Sequence, residues 1–255
     1  MRFASLGSGS RGNATVVQAG TTTLLIDCGF GAAETRRRLG RLGLDLADLT
    51  AILLTHEHGD HVAGVGPVAR AGRVPVWGTP GTLAALSPQV GELPQAHGVN
   101  CHASWSIGDL HITPFPVPHD GRESCQFLLS DGARRFAAVT DLGHTTAHMQ
   151  GVLRDCDGLL FECNHDRELL LGGPYPPALK RRVDGDFGHL SNDAAADFIG
   201  RLGARGLQHF VAAHLSEHNN RPDLARAAVA AALGCSADWI AVADQEQGIG
   251  WRALA

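Results

Sequence analysis

The chain has one lysine, Lys180, one tyrosine and two methionines in 255 residues, and aromatic residues make up only 5% of it. Charged residues are also sparse at 18%, yet 44% of the chain is hydrophobic, which excludes a disordered chain that cannot bury enough apolar surface to offset its ordering entropy. A net charge of -5 leaves no broad basic surface for wrapping duplex nucleic acid or an anionic membrane, so any anionic substrate has to be held locally. No apolar run approaches the roughly 18 residues of a membrane span. The opening MRFASLGSGSRGN reaches a glycine-rich stretch before any signal-peptide core. Together these predict a soluble cytoplasmic protein. Six cysteines include no CxxC pair, which predicts reduced, mostly buried thiols and excludes a disulfide scaffold. Ser8 to Asn13 lacks both the GK[ST] ending and the GxGxxG spacing of phosphate loops, so it reads as a hairpin turn; because that turn precedes the strand leading to Asp27, Asn13 is a residue that could lie near the site.

Histidine is the residue in excess, with 14 set against 21 Lys and Arg. Its placement follows a pattern. Short apolar runs end abruptly in a polar residue: TTTLLI at Asp27, LTAILLT at His56, RFAAVT at Asp141, GLLF at Glu162 and LQHFVAA at His214. Continuous apolar runs belong to strands covered on both faces, and segments with helical spacing near 33–42, 63–71, 191–202 and 221–233 supply the covers. Sites in such sheets form beyond the carboxyl ends of the strands, so these five residues are expected to converge. Residues 171–188, rich in glycine and proline, read as one long loop carrying the basic triplet Lys180, Arg181 and Arg182. A hinge near 125–135 is too weakly marked to divide the chain, and residues 1–255 read as a single domain.

The densest signal is Thr55-His56-Glu57-His58-Gly59-Asp60-His61, four donors for a divalent ion in six residues directly after a buried strand. Imidazole nitrogen and carboxylate oxygen bind zinc at about 2.0–2.2 Å, and a turning backbone can aim His56 and His58 at one ion while Asp60 and His61 face another.

This HxHxDH motif, with His119 in Pro118-His119-Asp120, Asp141 in Thr140-Asp141 and His214 in Ala213-His214, resembles the metallo-β-lactamase superfamily along nearly the whole chain. The resemblance implies an α/β fold, an αββα metallo-β-lactamase sandwich. It also implies a ligand set: His56, His58 and His119 for one metal, Asp60, His61 and His214 for a second, Asp141 bridging them, and Asp27 orienting the motif. Eight local stretches, LGSGSRGN, LTHEHGDH, VPHD, VTDLG, FECNHD, YPPALKRRV, GHLSND and HLSEHNN, four of them containing the residues just named, resemble the YycJ/WalJ-type bacterial hydrolases, related to the RNase Z-like phosphodiesterases. That likeness implies a dinuclear metal-dependent phosphodiester hydrolase, a nuclease on single-stranded DNA ends. Two divalent ions are expected, zinc first from the His-rich shell, with manganese or iron also compatible.

Gly188-His189-Leu190-Ser191 resembles the GHx[ST] element of phosphodiesterases in this superfamily, which makes His189 the candidate general acid and Asp60 the residue that holds the nucleophile's proton. Ser191 or Asn192 is a candidate cap for a helix beginning at Asp193, whose free amides could receive phosphate beside Ser191, and Lys180, Arg181 and Arg182 are candidate contacts to a strand. His165 is left outside the ligand set. Asn219 and Asn220 are open between substrate contact and helix start, and His97, His102, His111, His144, His148, His209 and His218 carry no motif. The rival functions are a small-molecule hydrolase for a cyclic phosphodiester, thioester or lactam, and a metal-binding interaction protein without turnover.

Overall fold

The structure, a computed structural model, describes residues 1–203 and 205–255, and the side chains of all these except 87–89. The N-terminal half forms β1 (Arg2–Gly7), β2 (Ala14–Ala19), β3 (Thr22–Ile26), α1 (Ala32–Gly40), β4 (Ala51–Leu53), α2 (Gly59–Val62), α3 (Val65–Gly72), β5 (Val76–Gly78), α4 (Pro80–Val90) and β6 (Ala96–Gly98). There follow β7 (Trp105–Ile107), β8 (Leu110–Pro116), β9 (Cys125–Ser130), β10 (Arg135–Val139), α5 (Ala147–Leu153) and β11 (Gly158–Glu162). The rest comprises α6 (Arg167–Gly172), α7 (Pro177–Val183), α8 (Asn192–Leu202), β12 (His209–Ala213), α9 (Pro222–Leu233), β13 (Ala241–Val242) and β14 (Ile249–Ala253).

Two seven-stranded sheets result, in the orders β14-β1-β2-β3-β4-β5-β6 and β13-β12-β11-β10-β9-β8-β7. Within them β3 to β6 run parallel, as do β10 to β13. Because side chains alternate along a strand, Leu24, Ile26, Ala51 and Leu53 face the second sheet while Leu25 and Ile52 face the helices on the other side. Phe3, Phe127 and Phe136 fill the space between the sheets, each side chain stabilising the fold by roughly 1.5–3 kcal/mol relative to exposure. A third cluster joins the second sheet to Met149, Leu153, Phe198, Ile199 and Val229 of α5, α8 and α9. The layers are therefore helix, sheet, sheet, helix, an αββα sandwich.

One sequence expectation is corrected here, and the weak hinge signal finds its explanation. The 125–135 segment is the β9–β10 hairpin, paired from Ser130–Arg135 to Phe127–Ala138, and the passage between sheets falls at β6 and β7. Residues 171–188 are not one loop, because the segment contains the last turn of α6 and all of α7. Pro177 sits in the first turn of α7, where its missing N–H costs nothing and its fixed φ starts a helix. The four predicted helices are present as α1, the α2–α3 pair, α8 and α9, whereas α4 to α7 were not foreseen. Among the described residues, no helix is long and apolar enough to cross a membrane. Five cysteines are buried, Cys235 is half-buried, and all six are free thiols.

Candidate metal centre

The strand-end residues do converge. Asp27, Asp141 and His214 follow β3, β10 and β12, and each takes a left-handed backbone, with φ of 59°, 60° and 55°. For residues other than glycine that conformation is strained by roughly 1–2 kcal/mol, and such strain gathers where a side chain must be aimed. The HxHxDH turn is fixed by backbone bonds from Asn13 N to Asp60 O and from Cys28 N to His61 O, at 2.8 and 2.7 Å. A Cβ on Gly29 would come within 1.9 Å of Asp60 O, so only glycine permits this approach.

Two groups of donor atoms with no residue in common lie inside this frame, and Asp141 belongs to the further groups that overlap them. His56 Nε2 and His119 Nε2 lie 3.0 and 3.2 Å from His58 Nδ1. Asp60 Oδ2 lies 3.3 Å from His61 Nε2 and 3.4 Å from His214 Nε2. Between the groups, Asp141 reaches both: Oδ2 is 3.1 Å from His61 Nε2, and Oδ1 is 4.0 Å from His119 Nε2. Donors bound at about 2.0–2.1 Å in a tetrahedron stand about 3.3 Å apart, so these spacings fit a divalent ion in each group.

The outward-facing ring nitrogens explain which lone pairs point inward. A carboxylate can only accept, so the 2.8 Å contact of His61 Nδ1 with Asp27 Oδ2 puts the ring proton on Nδ1. The Thr55 hydroxyl donates to Asp27 at 2.9 Å and accepts from His56 Nδ1 at 3.0 Å, so Asp27 sets two rings at once. His119 Nδ1 donates to Gly188 O at 3.2 Å, and His214 Nδ1 donates to Glu162 Oε1 at 3.0 Å. His58 is turned the other way, with Nδ1 inward and Nε2 3.3 Å from Asp120 Oδ1. Asn13 Nδ2 holds Asp60 Oδ2 at 3.1 Å.

Electrostatics points to cations. Asp27, Asp60, Asp141 and Glu162 crowd together, and among the described residues only imidazoles pair with them. Asp141 Oδ2 is buried and accepts no hydrogen bond, although His61 Nε2 is close. With the His61 proton on Nδ1, that contact sets a lone pair against an anion, which only a cation between them or a second ring proton relieves. Without metal, protons take that place. Burial pulls His61 down, but Asp141, Asp60 and Asp27 outweigh it and lift the ring well above its ordinary value. Burial likewise opposes charge on Asp60 and Asp141, yet His61 and His214 hold both carboxyls well below the usual range. His56 and His119 are pushed down, first by burial and then by neighbouring rings. Both rings are therefore held in the neutral form in which an imidazole can bind a metal.

A cavity of about 300 Å³ opens over the centre, lined by His58, Asp60, His119, Asp141, His214, His189 and the inner face of α7. His189 Nδ1 donates to Glu162 Oε1 at 2.9 Å and lies 3.6 Å from Asp141 Oδ1, next to the ligands and on the cavity wall. Of the predicted substrate contacts, Arg182 lines the cavity and Lys180, Arg181 and Ser191 do not. Successive helical residues fan around the axis, so the triplet cannot present one basic stripe; Lys180 Nζ instead donates to Leu171 O at 2.6 Å. The Ser191 hydroxyl accepts from Ala194 N and caps α8. Asn219 and Asn220 are buried; Asn220 braces Cys163 O and Asn192, and Asn219 O accepts from Asp166 N. His165 is buried 3.4 Å from Asp184, apart from the donor groups.

Two residues carry much of the geometry: Glu162, which the sequence reading expected to converge with the other strand ends but left out of the site set, and Asp120, which had no role there. Glu162 is fully buried and accepts from His189, His214, Leu142 N and Leu190 N. Its signal was the strand GLLF stopping at a carboxylate. Asp120, between His58 and Arg182, had none beyond adjacency to His119.

Residues 22–214 match the model of the β-lactamase superfamily domain. The chain is 34% identical over 235 residues to the exodeoxyribonuclease YycJ of Bacillus anthracis, covering 91% of this chain and 89% of that protein. It is 34% identical over 229 residues to the exodeoxyribonuclease WalJ of Streptococcus pneumoniae strain D39, covering 88% and 85%. Among solved structures it resembles the metallo-β-lactamase fold protein YhfI of Bacillus subtilis, with a TM-score of 0.76, 18% identity and 99% of both chains covered. The chain belongs to the metallo-β-lactamase superfamily and, within it, to the family of the YycJ and WalJ proteins.

Proposed function

We propose that the protein is a metal-dependent phosphodiester hydrolase that removes nucleotides from DNA ends, with single-stranded ends preferred. The observation that carries this reading is the set of five imidazoles that gather with the oxygens of Asp60 and Asp141 into overlapping groups of possible metal donors beneath one cavity. The exodeoxyribonuclease names of the two relatives supply the substrate class. His56, His58 and His119 would hold one ion, Asp60, His61 and His214 the other, with Asp141 between them. Zinc is favoured by the imidazole-rich shell, and manganese or iron suits the same donors. When bound, such ions lower the pKa of a water and offset charge on the phosphoryl oxygens.

The protein's own groups do the rest. Asp60, placed by Asn13, would orient the attacking water and hold its proton. His189 keeps Nδ1 on Glu162, which frees Nε2 for the leaving oxygen. In the metal-free protein burial works against a charged His189, but Glu162 and Asp141 outweigh it and raise the ring; Glu162, outside the proposed ligand set, is the partner that would keep favouring the protonated ring that donates. A net charge of -5 disfavours wrapping a duplex, whereas a 300 Å³ cavity with Arg182 on its wall admits one strand end.

Digestion of end-labelled single- and double-stranded oligonucleotides by the metal-loaded protein tests this. Stepwise shortening of the single strand, abolished by a chelator, is expected. Hydrolysis of a cyclic phosphodiester with oligonucleotides ignored would replace the nuclease reading by the small-substrate one. Bound metal without turnover on either substrate would leave a metal-binding interaction protein.

A further inference from the structure

One wall of the cavity is α7, a helix none of whose residues is buried. Polar contacts hold it in place, and Arg182 makes the one nearest the centre. Its Nε and Nη2 lie 3.0 and 2.9 Å from Asp120 Oδ2. The other oxygen, Asp120 Oδ1, lies 3.3 Å from His58 Nε2 and 3.5 Å from His119 Nε2. One carboxylate therefore links a candidate metal ligand to the lone guanidinium among the residues that line the cavity.

The two contacts differ in how firmly they are held. The Arg182 side chain is 65% exposed and Asp120 33%, and so wet an ion pair is worth about 0–1 kcal/mol. Asp120 gives Nε and Nη2 a single oxygen, whereas a phosphate can offer one to each, so it can displace the carboxylate at small cost. His58, by contrast, depends on Asp120: the outer nitrogens of His56, His61, His119 and His214 each have another acceptor. We infer that Arg182 is a phosphate-capturing residue that exchanges Asp120 for a substrate phosphate beside the scissile one, while Asp120 is the positioning residue that keeps His58 turned with Nδ1 inward. This deepens the phosphodiesterase reading and rests on it for the identity of the anion.

Three variants of the full chain, Arg182→Gln, Arg182→Lys and Asp120→Asn, separate the two roles. Metal retention is measured by chelator competition, inorganic phosphate binding by calorimetry at saturating zinc, and KM and kcat on a single-stranded oligonucleotide. Arg182→Gln is expected to weaken phosphate binding and raise KM at least tenfold, with wild-type metal retention and the loss in KM rather than kcat. Lysine, a point charge without the fork, restores only part of it. Asp120→Asn is expected to loosen the metal by about 10- to 100-fold, the usual effect of removing a group that orients a ligand, without weakening phosphate binding. Unchanged phosphate affinity in Arg182→Gln overturns the capture role. Equal metal loss in Arg182→Gln and Asp120→Asn shows that the pair is one structural strut, and wild-type retention in Asp120→Asn removes the positioning role. If the wild-type protein cleaves no phosphodiester, the reading above fails, but the metal and phosphate measurements still decide this one.

Discussion

Replacing Glu162 by glutamine changes almost no volume and reverses the polarity of one end of the side chain. The carboxylate accepts four N–H groups, from His189 and His214 at Oε1 and from Leu142 and Leu190 at Oε2, at 2.9–3.1 Å. A carboxamide has one accepting end. If its oxygen stays with the two backbone amides, its NH2 faces two ring nitrogens that also donate. His189 and His214 must then move their protons to Nε2, the side that faces the cavity and Asp60. A ligand in the wrong tautomer weakens metal binding by about 10- to 100-fold, which is about 1.4–2.7 kcal/mol. The charge that favours protonated His189 disappears as well, so turnover should fall by a further factor of about 10²–10⁴. Chelator competition and single-turnover hydrolysis measure the two effects separately. A Glu162→Gln protein with wild-type metal affinity and more than half the wild-type rate would refute the proposed role of the carboxylate in fixing these rings.

Other outcomes follow from the same geometry. Asp141→Ala should lose at least the weaker ion, counted by metal analysis, because Asp141 is the carboxylate that reaches His61 of one donor group and His119 of the other. His189→Ala should keep its metal and lose about 10²–10⁴ in turnover on DNA, but much less on a nitrophenyl phosphodiester, whose leaving group needs no proton; equal losses would mean that His189 only shapes the site. In the metal-free protein, burial opposes charge on His214 but Asp141, Asp60 and Glu162 win and lift it to about 10. Its folded value is raised, so its stabilisation is complete below the unfolded value of about 6.5 and is lost as pH rises towards 10. The Tm of the stripped protein should therefore fall between pH 7 and 9.5, while the zinc-loaded protein gains stability as pH rises because metal binding displaces ring protons.

Much of this centre was legible in the sequence because the chemistry sits where apolar strands stop. Asp27, His56, Asp141, Glu162 and His214 each end such a run, and parallel strands bring their carboxyl ends to one edge. The left-handed turns at Asp27, Asp141 and His214 were not legible, because nothing in an Asp or His marks a positive φ. Nor were α4 and α7, where Pro80 and Pro177 look like breakers but occupy first turns. That misreading made Lys180, Arg181 and Arg182 one basic patch, when helical rotation leaves Arg182 alone on the cavity wall. Asp120 was hidden by its neighbour, since His119 accounted for the motif and the partner that reveals Asp120, Arg182, lies 62 residues away.

The central claim, that two ions held by His56, His58, His119, Asp60, His61, His214 and Asp141 act together, is tested most directly by titrating the metal-free protein with zinc while following cleavage of a single-stranded oligonucleotide. Activity should rise to a plateau at two equivalents per chain, with little gained from the first alone. Full activity at one equivalent, with no further change at the second, would contradict it.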